Sequence, residues 1–368
     1  MSKAPIRIGI IGCGQIAQQH MSTYAKIPDA QMVGFADISE EAVNKSAKEY
    51  GVEFATTNFR DLLARDDIDA IDVCLHNNFH MPATVAALAA GKHVYCEKPM
   101  AGSYADAAAM LCKAKEVGKN LHIQLSTLYS NETRAAKALI ESGELGEVYH
   151  ARSTGFRRRG RPYVDGYGTP TFVQKRNSAG GALYDMGVYH ISQILYLLDN
   201  PKVERITGKT YQKVDMDAKR RETSGYDVEE LGMGFVCFEG EASLDIIESW
   251  AINLDSFEGS YLVGSKGGVR LNPFGFFRSA GDLDLNSTAE LGSARSRWDS
   301  VKGDGPVYGN SQRHWIAALQ GKIPLLPTAE IALNTMLISE GIYHSQTLNR
   351  EVTAEEVKAA SVSTAVAI

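Results

Sequence analysis

An apolar run, Ile6 to Ile11, ends in the turn Gly12-Cys13-Gly14-Gln15-Ile16-Ala17, and no other feature narrows the fold of this chain as much. Glycine at 12 permits a tight turn straight after a strand. Glycine at 14 lets a pyrophosphate approach the backbone, and small Ala17 lets the next helix pack close to the strand. That helix offers unpaired N–H groups and a positive dipole end to phosphates. A bare glycine turn is weak evidence, but its context is right. A helical stretch to about Ile27 follows, and a second strand, Met32 to Ala36, runs into an acid. Asp37 stands twenty residues after Ala17, where a carboxylate bonds ribose hydroxyls. It would repel a 2′-phosphate, and Ile38-Ser39 brings no arginine to hold one. The expected ligand is NAD rather than NADP, held by Gly12, Gly14, Gln15, Ile16 and Asp37.

Strand and helix keep alternating. Ala70 to Leu75 and His93 to Cys96 are strands, as is Leu121 to Leu125, with helices from Ala83 to Ala90 and Ser103 to Val117 between them. Such alternation implies an α/β domain, a doubly wound parallel sheet with helices on both faces. Beyond about residue 125 the texture changes. An alternating strand, Val148 to Phe156, and a helix near Asp185 precede β-like runs at 203–213, 229–238, 242–250 and 261–263. Successive strands without helices between them imply an antiparallel sheet. Gly264 to Gly268 reads as a hairpin turn, Gly281 to Gly305 as a long surface loop, and Ala359 to Ile368 as a loose tail. Helices are expected at Ser311–Gln320 and Thr328–Thr347. The expected division is a cofactor domain over 1–125 and a second domain over 126–368.

With 368 residues, two domains of ordinary size are expected. A net charge of −6 argues against nucleic acid or an anionic membrane as partner. No stretch approaches the roughly 18 apolar residues of a membrane span. Met1-Ser2-Lys3-Ala4-Pro5 leads into a strand without a signal pattern. The five cysteines are odd in number and show no CxxC spacing. Reduced core thiols and a cytoplasmic location follow. No metal site is expected.

Several motifs resemble one family in the same order. Glu97-Lys98-Pro99 ends a strand downstream of the glycine turn. Asn77-Asn78-Phe79-His80 resembles an Asn-x-x-His segment, and Ser142 to Val148 resembles the approach to a second domain. Gly180-Gly181-Ala182-Leu183-Tyr184-Asp185-Met186-Gly187-Val188-Tyr189 resembles a Gly-Gly-x-Leu-x-Asp-x-Gly-x-His/Tyr segment. Together they resemble the glucose–fructose oxidoreductase/inositol dehydrogenase/rhizopine-catabolism (GFO/IDH/MocA) family over essentially the whole chain. The resemblance implies a Rossmann domain followed by an α/β domain with a large open antiparallel sheet. It also implies NAD(P)-dependent oxidation of a hydroxyl on a sugar, cyclitol or related polyol, a homo-oligomer, and a cis bond at Lys98–Pro99; with Asp37 favouring NAD, the expected reaction is NAD-dependent dehydrogenation of a sugar, cyclitol or glycoside. Two other functions occur on this pattern: a glycosidase that oxidises its substrate transiently, and a non-catalytic sensor of NAD or sugar.

Alcohol oxidation needs a base for the hydroxyl proton, while the nicotinamide takes the hydride. Lys98, at the carboxyl edge of the sheet, is placed to stabilise a developing alkoxide. Glu97 either orients it or bonds its own turn. On a regular helix Asp185, Tyr189, Gln193 and Tyr196 share a face, and His190 lies on its flank. Histidine titrates near 6.5 unaided, whereas a tyrosine base needs about 4 kcal/mol of help. One cation about 4 Å away could supply that, and the resemblance puts Lys98 there. Tyr189 is therefore the expected acid/base, His190 the alternative, and Asp185 a substrate or base partner. Asn77, His80, Glu97 and Lys98 are expected beside the cofactor, although capping a helix is an equal role for His80. The run Arg157-Arg158-Arg159-Gly160-Arg161 and the following Tyr163 are expected either to hold substrate or to be solvated, with Arg158 and Tyr163 the named contacts.

Overall fold

The computed structural model describes residues 4–301 and 305–368, so residues 1–3 of the expected leader-free start and 302–304 of the expected loop lie outside it. Two sheets organise the chain. The first has six parallel strands, β1 (Ile6–Ile11), β2 (Ala30–Ala36), β3 (Ala55–Thr56), β4 (Ala70–Val73), β5 (His93–Cys96) and β6 (Leu121–Ile123), in the order β3-β2-β1-β4-β5-β6. The order reverses between β1 and β4, which opens a crevice at their carboxyl ends. Helices α1 (Gln15–Tyr24), α2 (Glu40–Tyr50), α3 (Phe59–Leu63), α4 (Asn77–Ala89) and α5 (Tyr104–Glu116) are the crossovers. β3 and α3 are too short for the periodicity of the sequence to reveal. β4 is buried throughout, including Asp72 in its middle.

The second sheet has nine strands. β7 (Val148–Phe156), β8 (Val203–Tyr211), β9 (Leu231–Phe238), β10 (Ser243–Ser249), β11 (Tyr261–Gly264), β12 (Gly268–Arg270), β13 (Gly275–Ala280), β14 (Leu283–Ser287) and β15 (Val352–Thr353) stand in the order β14-β13-β12-β11-β7-β10-β9-β8-β15. Every pair is antiparallel except β7 with β10. Between β6 and β8 come α6 (Asn131–Glu141), α7 (Lys175–Ser178), a π-helical turn (Leu183–Gly187) and α8 (Val188–Leu197). α8 buries Ile191, Ile194 and Leu195 against one face of the sheet. A buried carboxylate fixes its start: Glu229 accepts the N–H groups of Gly181 at 2.8 Å and Leu183 at 3.0 Å. Gly181 must be glycine, because a Cβ there would stand 1.9 Å from the Glu229 carbonyl oxygen.

Two expectations are corrected, and one helix packs outside its expected domain. The supposed loop at 281–305 contains β14, paired along β13, and a helix over Leu291–Ser300. Its polar, glycine-rich composition hid a solvent-facing hairpin, which needs no apolar stripe. The tail is tied down: Thr364 N–H bonds Asp106 at 2.9 Å and Val366 N–H bonds the Asn78 carbonyl at 3.0 Å. Helix Ser311–Leu319, assigned by sequence to the second domain, packs Trp315 and Ile316 into the first sheet's core beside Ile8, Ile10 and Tyr95. Among the described residues no helix is long and apolar enough to cross a membrane.

Candidate active site

The Gly12 turn sits at the crevice. Gly12 has φ +93°, and a Cβ there would meet the Cys74 carbonyl oxygen at 2.3 Å. Gly14 has open space where its Cβ would be, and as N-cap of α1 it supplies no side-chain cap. The first N–H groups of α1 are thus left for an outside acceptor. Gln15 and Ile16 are exposed on that first turn. Asp37 is held by Cys13 N–H at 2.7 Å and Ser39 N–H at 2.8 Å, one on each carboxylate oxygen. Each oxygen keeps a lone pair for a ribose hydroxyl. Turn, free helix end and fixed carboxylate fit a dinucleotide.

Three expected cofactor contacts turn inward instead. His80 is fully buried, with Nδ1 2.7 Å from the Pro99 carbonyl and Nε2 2.9 Å from the Leu75 carbonyl. Burial pushes its pKa down against the raising effect of both carbonyls, and the ring sits between two backbone turns, donating to at least one of them. Asn77 donates to the Ser178 carbonyl at 2.7 Å, and Asn78 to that of Arg176, tying α4 to α7. Glu97 is buried, accepts Lys98 N–H at 2.9 Å and lies 2.8 Å from His20 Nε2.

Lys98 points into the crevice from its cis bond to Pro99. Its ammonium lies 2.9 Å from Asp185 Oδ1 and 4.5 Å from the Tyr189 ring centre. Burial alone would lower the Lys98 pKa, but Asp185 and its neighbours outweigh burial and raise it. Asp185 Oδ2 accepts the Trp250 indole N–H at 2.9 Å and lies 3.5 Å from the Arg157 guanidinium. Burial would raise the Asp185 pKa, yet Lys98, Arg157 and Trp250 bring it below the ordinary value. An ammonium and a carboxylate, both charged, therefore face the cleft.

The π turn departs from the regular helix used to rank the two bases. It advances more slowly per residue than an α-helix, so the faces beyond Asp185 shift. Tyr189 lies beside Lys98, but burial raises its pKa more than Lys98 lowers it. The expected depression toward neutrality is absent. His190 Nδ1 lies 2.9 Å from Glu248 Oε2. Glu248 is fully buried and anchored by Ser153 Oγ at 2.8 Å. Burial would lower the His190 pKa, and Glu248 reverses this and raises it. Nε2 of His190 has no partner among the described residues. Gly155 leaves room for the pair, since a Cβ there would stand 1.9 Å from Glu248.

Their contacts sort the arginines. β7 ends at Phe156, and just beyond it Arg157 turns toward the site while Arg158 turns to solvent. Arg157 reaches Asp185 and bonds the Tyr167 hydroxyl. Arg158 is exposed, with no ion pair among the described residues. Arg161 is buried between Asp165 and Glu230. Tyr163 packs against Arg220. Arg157 and Tyr167, rather than Arg158 and Tyr163, border the Lys98–Asp185 pair.

Residues 6–125 match the NAD-binding Rossmann-fold domain of the GFO/IDH/MocA oxidoreductases, and residues 133–270 match the C-terminal domain of the same family. The chain belongs to the GFO/IDH/MocA family. It is an NAD-dependent oxidoreductase. One GFO/IDH/MocA relative, the D-glucoside 3-dehydrogenase of Escherichia coli (strain K12), is 30% identical over 74% of this chain and 79% of its own length. The glucose-6-phosphate 3-dehydrogenase of Bacillus subtilis (strain 168) is 27% identical over 66% of this chain and 67% of its own. An oxidoreductase from Agrobacterium radiobacter, crystallised with NAD+, shares the fold with a TM-score of 0.77 at 20% identity, covering 96% of this chain and 99% of that one.

Sequence reasoning missed Trp250, Glu248 and His20, which support the GFO/IDH/MocA motif residues from behind. One signal was legible: an acid, Asp72, inside an apolar strand demands a buried partner. Its partner is His20 Nδ1 at 2.8 Å. His20, Asp72 and Cys74 bring possible metal-ligand atoms within 4.8 Å of one another. Both His20 nitrogens are already on carboxylates, however, and burial pushes the Cys74 thiol up, leaving a neutral sulfur. The three form a hydrogen-bonded cluster.

Proposed function

We propose that the protein oxidises a secondary ring hydroxyl of a glucoside, at C3, to the ketone. The position follows two relatives whose names specify a 3-dehydrogenase. Bound NAD+ supplies the hydride acceptor. The alcohol loses a proton from oxygen and a hydride from carbon, giving ketone, NADH and one proton. Lys98 donates a hydrogen bond to the reacting oxygen and stabilises the growing alkoxide. Asp185 fixes the ammonium and offers an acceptor to a neighbouring hydroxyl. The single observation that carries the reading is the Lys98–Asp185 pair at 2.9 Å beside His190.

His190 takes the hydroxyl proton at Nε2, with Nδ1–H donated to Glu248. Tyr189 instead presents its ring face to the Lys98 ammonium, a contact that positions the cation. Arg157 bonds an oxygen on the substituent next to the reacting carbon. The open face of the second sheet serves a homo-oligomer: Met233 and Phe235 are 41% and 40% exposed there, beside Tyr211. The free cysteines suit a cytoplasmic enzyme.

The test is NAD reduction with methyl β-D-glucopyranoside and its 3-deoxy analogue. Stoichiometric NADH from the first and none from the second is expected. Cleavage of the glycoside without NADH would replace this reading with that of an oxidative glycosidase.

A further inference from the structure

Behind the catalytic lysine lies a fully internal charge cluster that the mechanism above does not use. His20, on α1, is 3% exposed. Its Nδ1 stands 2.8 Å from Asp72 Oδ2 on β4, and its Nε2 stands 2.8 Å from Glu97 Oε1 after β5. The other oxygen of Glu97 accepts the backbone N–H of Lys98 at 2.9 Å. One imidazole thus ties helix α1 to β4 and to the end of β5, and stops one bond short of the catalytic residue.

The chemistry of the bridge is settled by its donors. Two carboxylates cannot donate to a ring when ionised, so a ring bonding both must carry a proton on each nitrogen. A buried carboxylate without a cation would neutralise itself. Every polar group around the ring fits an imidazolium. Cys74 Sγ lies 3.3 Å from Nδ1. Tyr95 packs edge-on with ring centres 5.6 Å apart. Tyr24, on the same helix, is buried beside Asp72. From helix Ser311–Leu319, Gln312 bonds the His20 carbonyl at 3.1 Å. Burial would lower the His20 pKa, but Asp72 and Cys74 together outweigh it and raise it; burial would raise that of Glu97, but His20 and Lys98 together lower it.

We propose that His20 is a positioning residue for the hydride-transfer reaction: clamped between Asp72 and Glu97, it locks the Glu97 carboxylate against the Lys98 backbone and so sets where the Lys98 ammonium sits in the cleft. The inference rests on the reading that places Lys98 at the reacting oxygen. α1 begins at the pyrophosphate turn and carries His20, so the same helix that receives the cofactor registers the lysine against it through Glu97. His20 touches neither substrate nor cofactor and acts through Glu97 alone.

A double-mutant cycle with His20→Gln and Glu97→Gln tests this, using methyl β-D-glucopyranoside and NAD. His20→Gln is expected to lower kcat by about ten- to hundredfold, as for a small displacement of a reacting group. The NAD dissociation constant, read by fluorescence titration, should stay unchanged. The double variant should be no slower than Glu97→Gln, because both cut the same chain. Losses that multiply, or a His20→Gln enzyme with full kcat and only a lower melting temperature, would overturn the proposal. Lys98→Met separates the two readings: if it keeps turnover, Lys98 is not at the reaction and the function assignment fails first. If the wild type does not oxidise the glucoside, amide hydrogen exchange at Lys98 decides. Faster exchange there in His20→Gln, with β1 and β4 unaltered, supports the clamp, and unchanged exchange refutes it. If His20→Gln does not fold, Asp72→Asn removes the charge that holds the imidazolium, and the same outcomes apply.

Discussion

Lys98 Nζ lies 2.9 Å from Asp185 Oδ1, bridging two sheets at a point where both side chains are mostly shielded from water. A pair so placed does more for orientation than for stability, since desolvation offsets much of the attraction. Lys98→Met should therefore fold. It leaves Asp185 with the Trp250 indole and Arg157. Its kcat should fall about 10²–10³-fold, the usual loss for one donor to a developing oxyanion. Steady-state kinetics beside an NAD titration checks this. A normal kcat would remove Lys98 from the chemistry.

His190 and Tyr189 make opposite predictions about pH. As a base for oxidation, His190 must be unprotonated. Glu248 raises its pKa above the ordinary 6.5, so oxidation should rise with pH through a midpoint above that value, and ketone reduction should fall. Glu248→Gln removes the raising charge and should move the midpoint to lower pH, with a lower plateau. Tyr189→Phe keeps the ring face under Lys98 and should retain most turnover, whereas His190→Asn should lose it. If Tyr189→Phe is the dead variant, with its fold intact, the base is Tyr189.

Asp37 spends both oxygens on backbone N–H groups before any cofactor arrives, so its carboxylate is already aimed. Asp37→Ser removes a charged acceptor worth about 1.5–3 kcal/mol. The NAD dissociation constant should rise roughly ten- to hundredfold, while NADP should lose less. An unchanged NAD constant would mean the ribose binds elsewhere.

Arg157 and Arg158 are neighbours in sequence and opposites in space. Arg157→Gln removes a cation 3.5 Å from Asp185 and should raise KM for the glucoside with little change in NAD affinity. Arg158→Gln should leave both constants alone. The reverse pattern would put Arg158, not Arg157, against the substrate.

That pair also shows where sequence reading stopped. The glycine turn, Asp37 and Lys98 were legible because each is set by local geometry at a strand end. The arginine was not, because Arg157 and Arg158 lie in irregular chain just past β7, where no period says which side chain turns inward. The base was not either: the Asp185-to-Tyr189 spacing assumes 3.6 residues per turn, and the π turn at Leu183–Gly187 breaks that assumption. His20 and Glu248 act through residues 77 and 58 positions away, and no periodicity links them. Helix Ser311–Leu319 was seen as a helix, but its return to the first core depends on Trp315 finding Tyr95, with ring centres 5.2 Å apart.

The same returning helix makes the fold acid-sensitive. His314 is fully buried, stacks near His122 with ring centres 5.9 Å apart, and accepts Leu326 N–H at 3.0 Å. Burial lowers its pKa from 6.5 to about 4. Burial, with His314 adding to it, also pushes His122 well below the ordinary value. Both rings are neutral in the fold, and both would take protons when unfolded. The unfolded chain therefore binds more protons between pH 6.5 and about 4, and stability falls as pH drops through that window. The His314 gap alone corresponds to about 3 kcal/mol. Melting temperature should hold steady above pH 6.5 and decline below it. His314→Gln, whose amide oxygen can still accept the Leu326 N–H, should start lower yet decline less steeply. If its slope matched the wild type, the acid sensitivity would belong to the carboxylates instead.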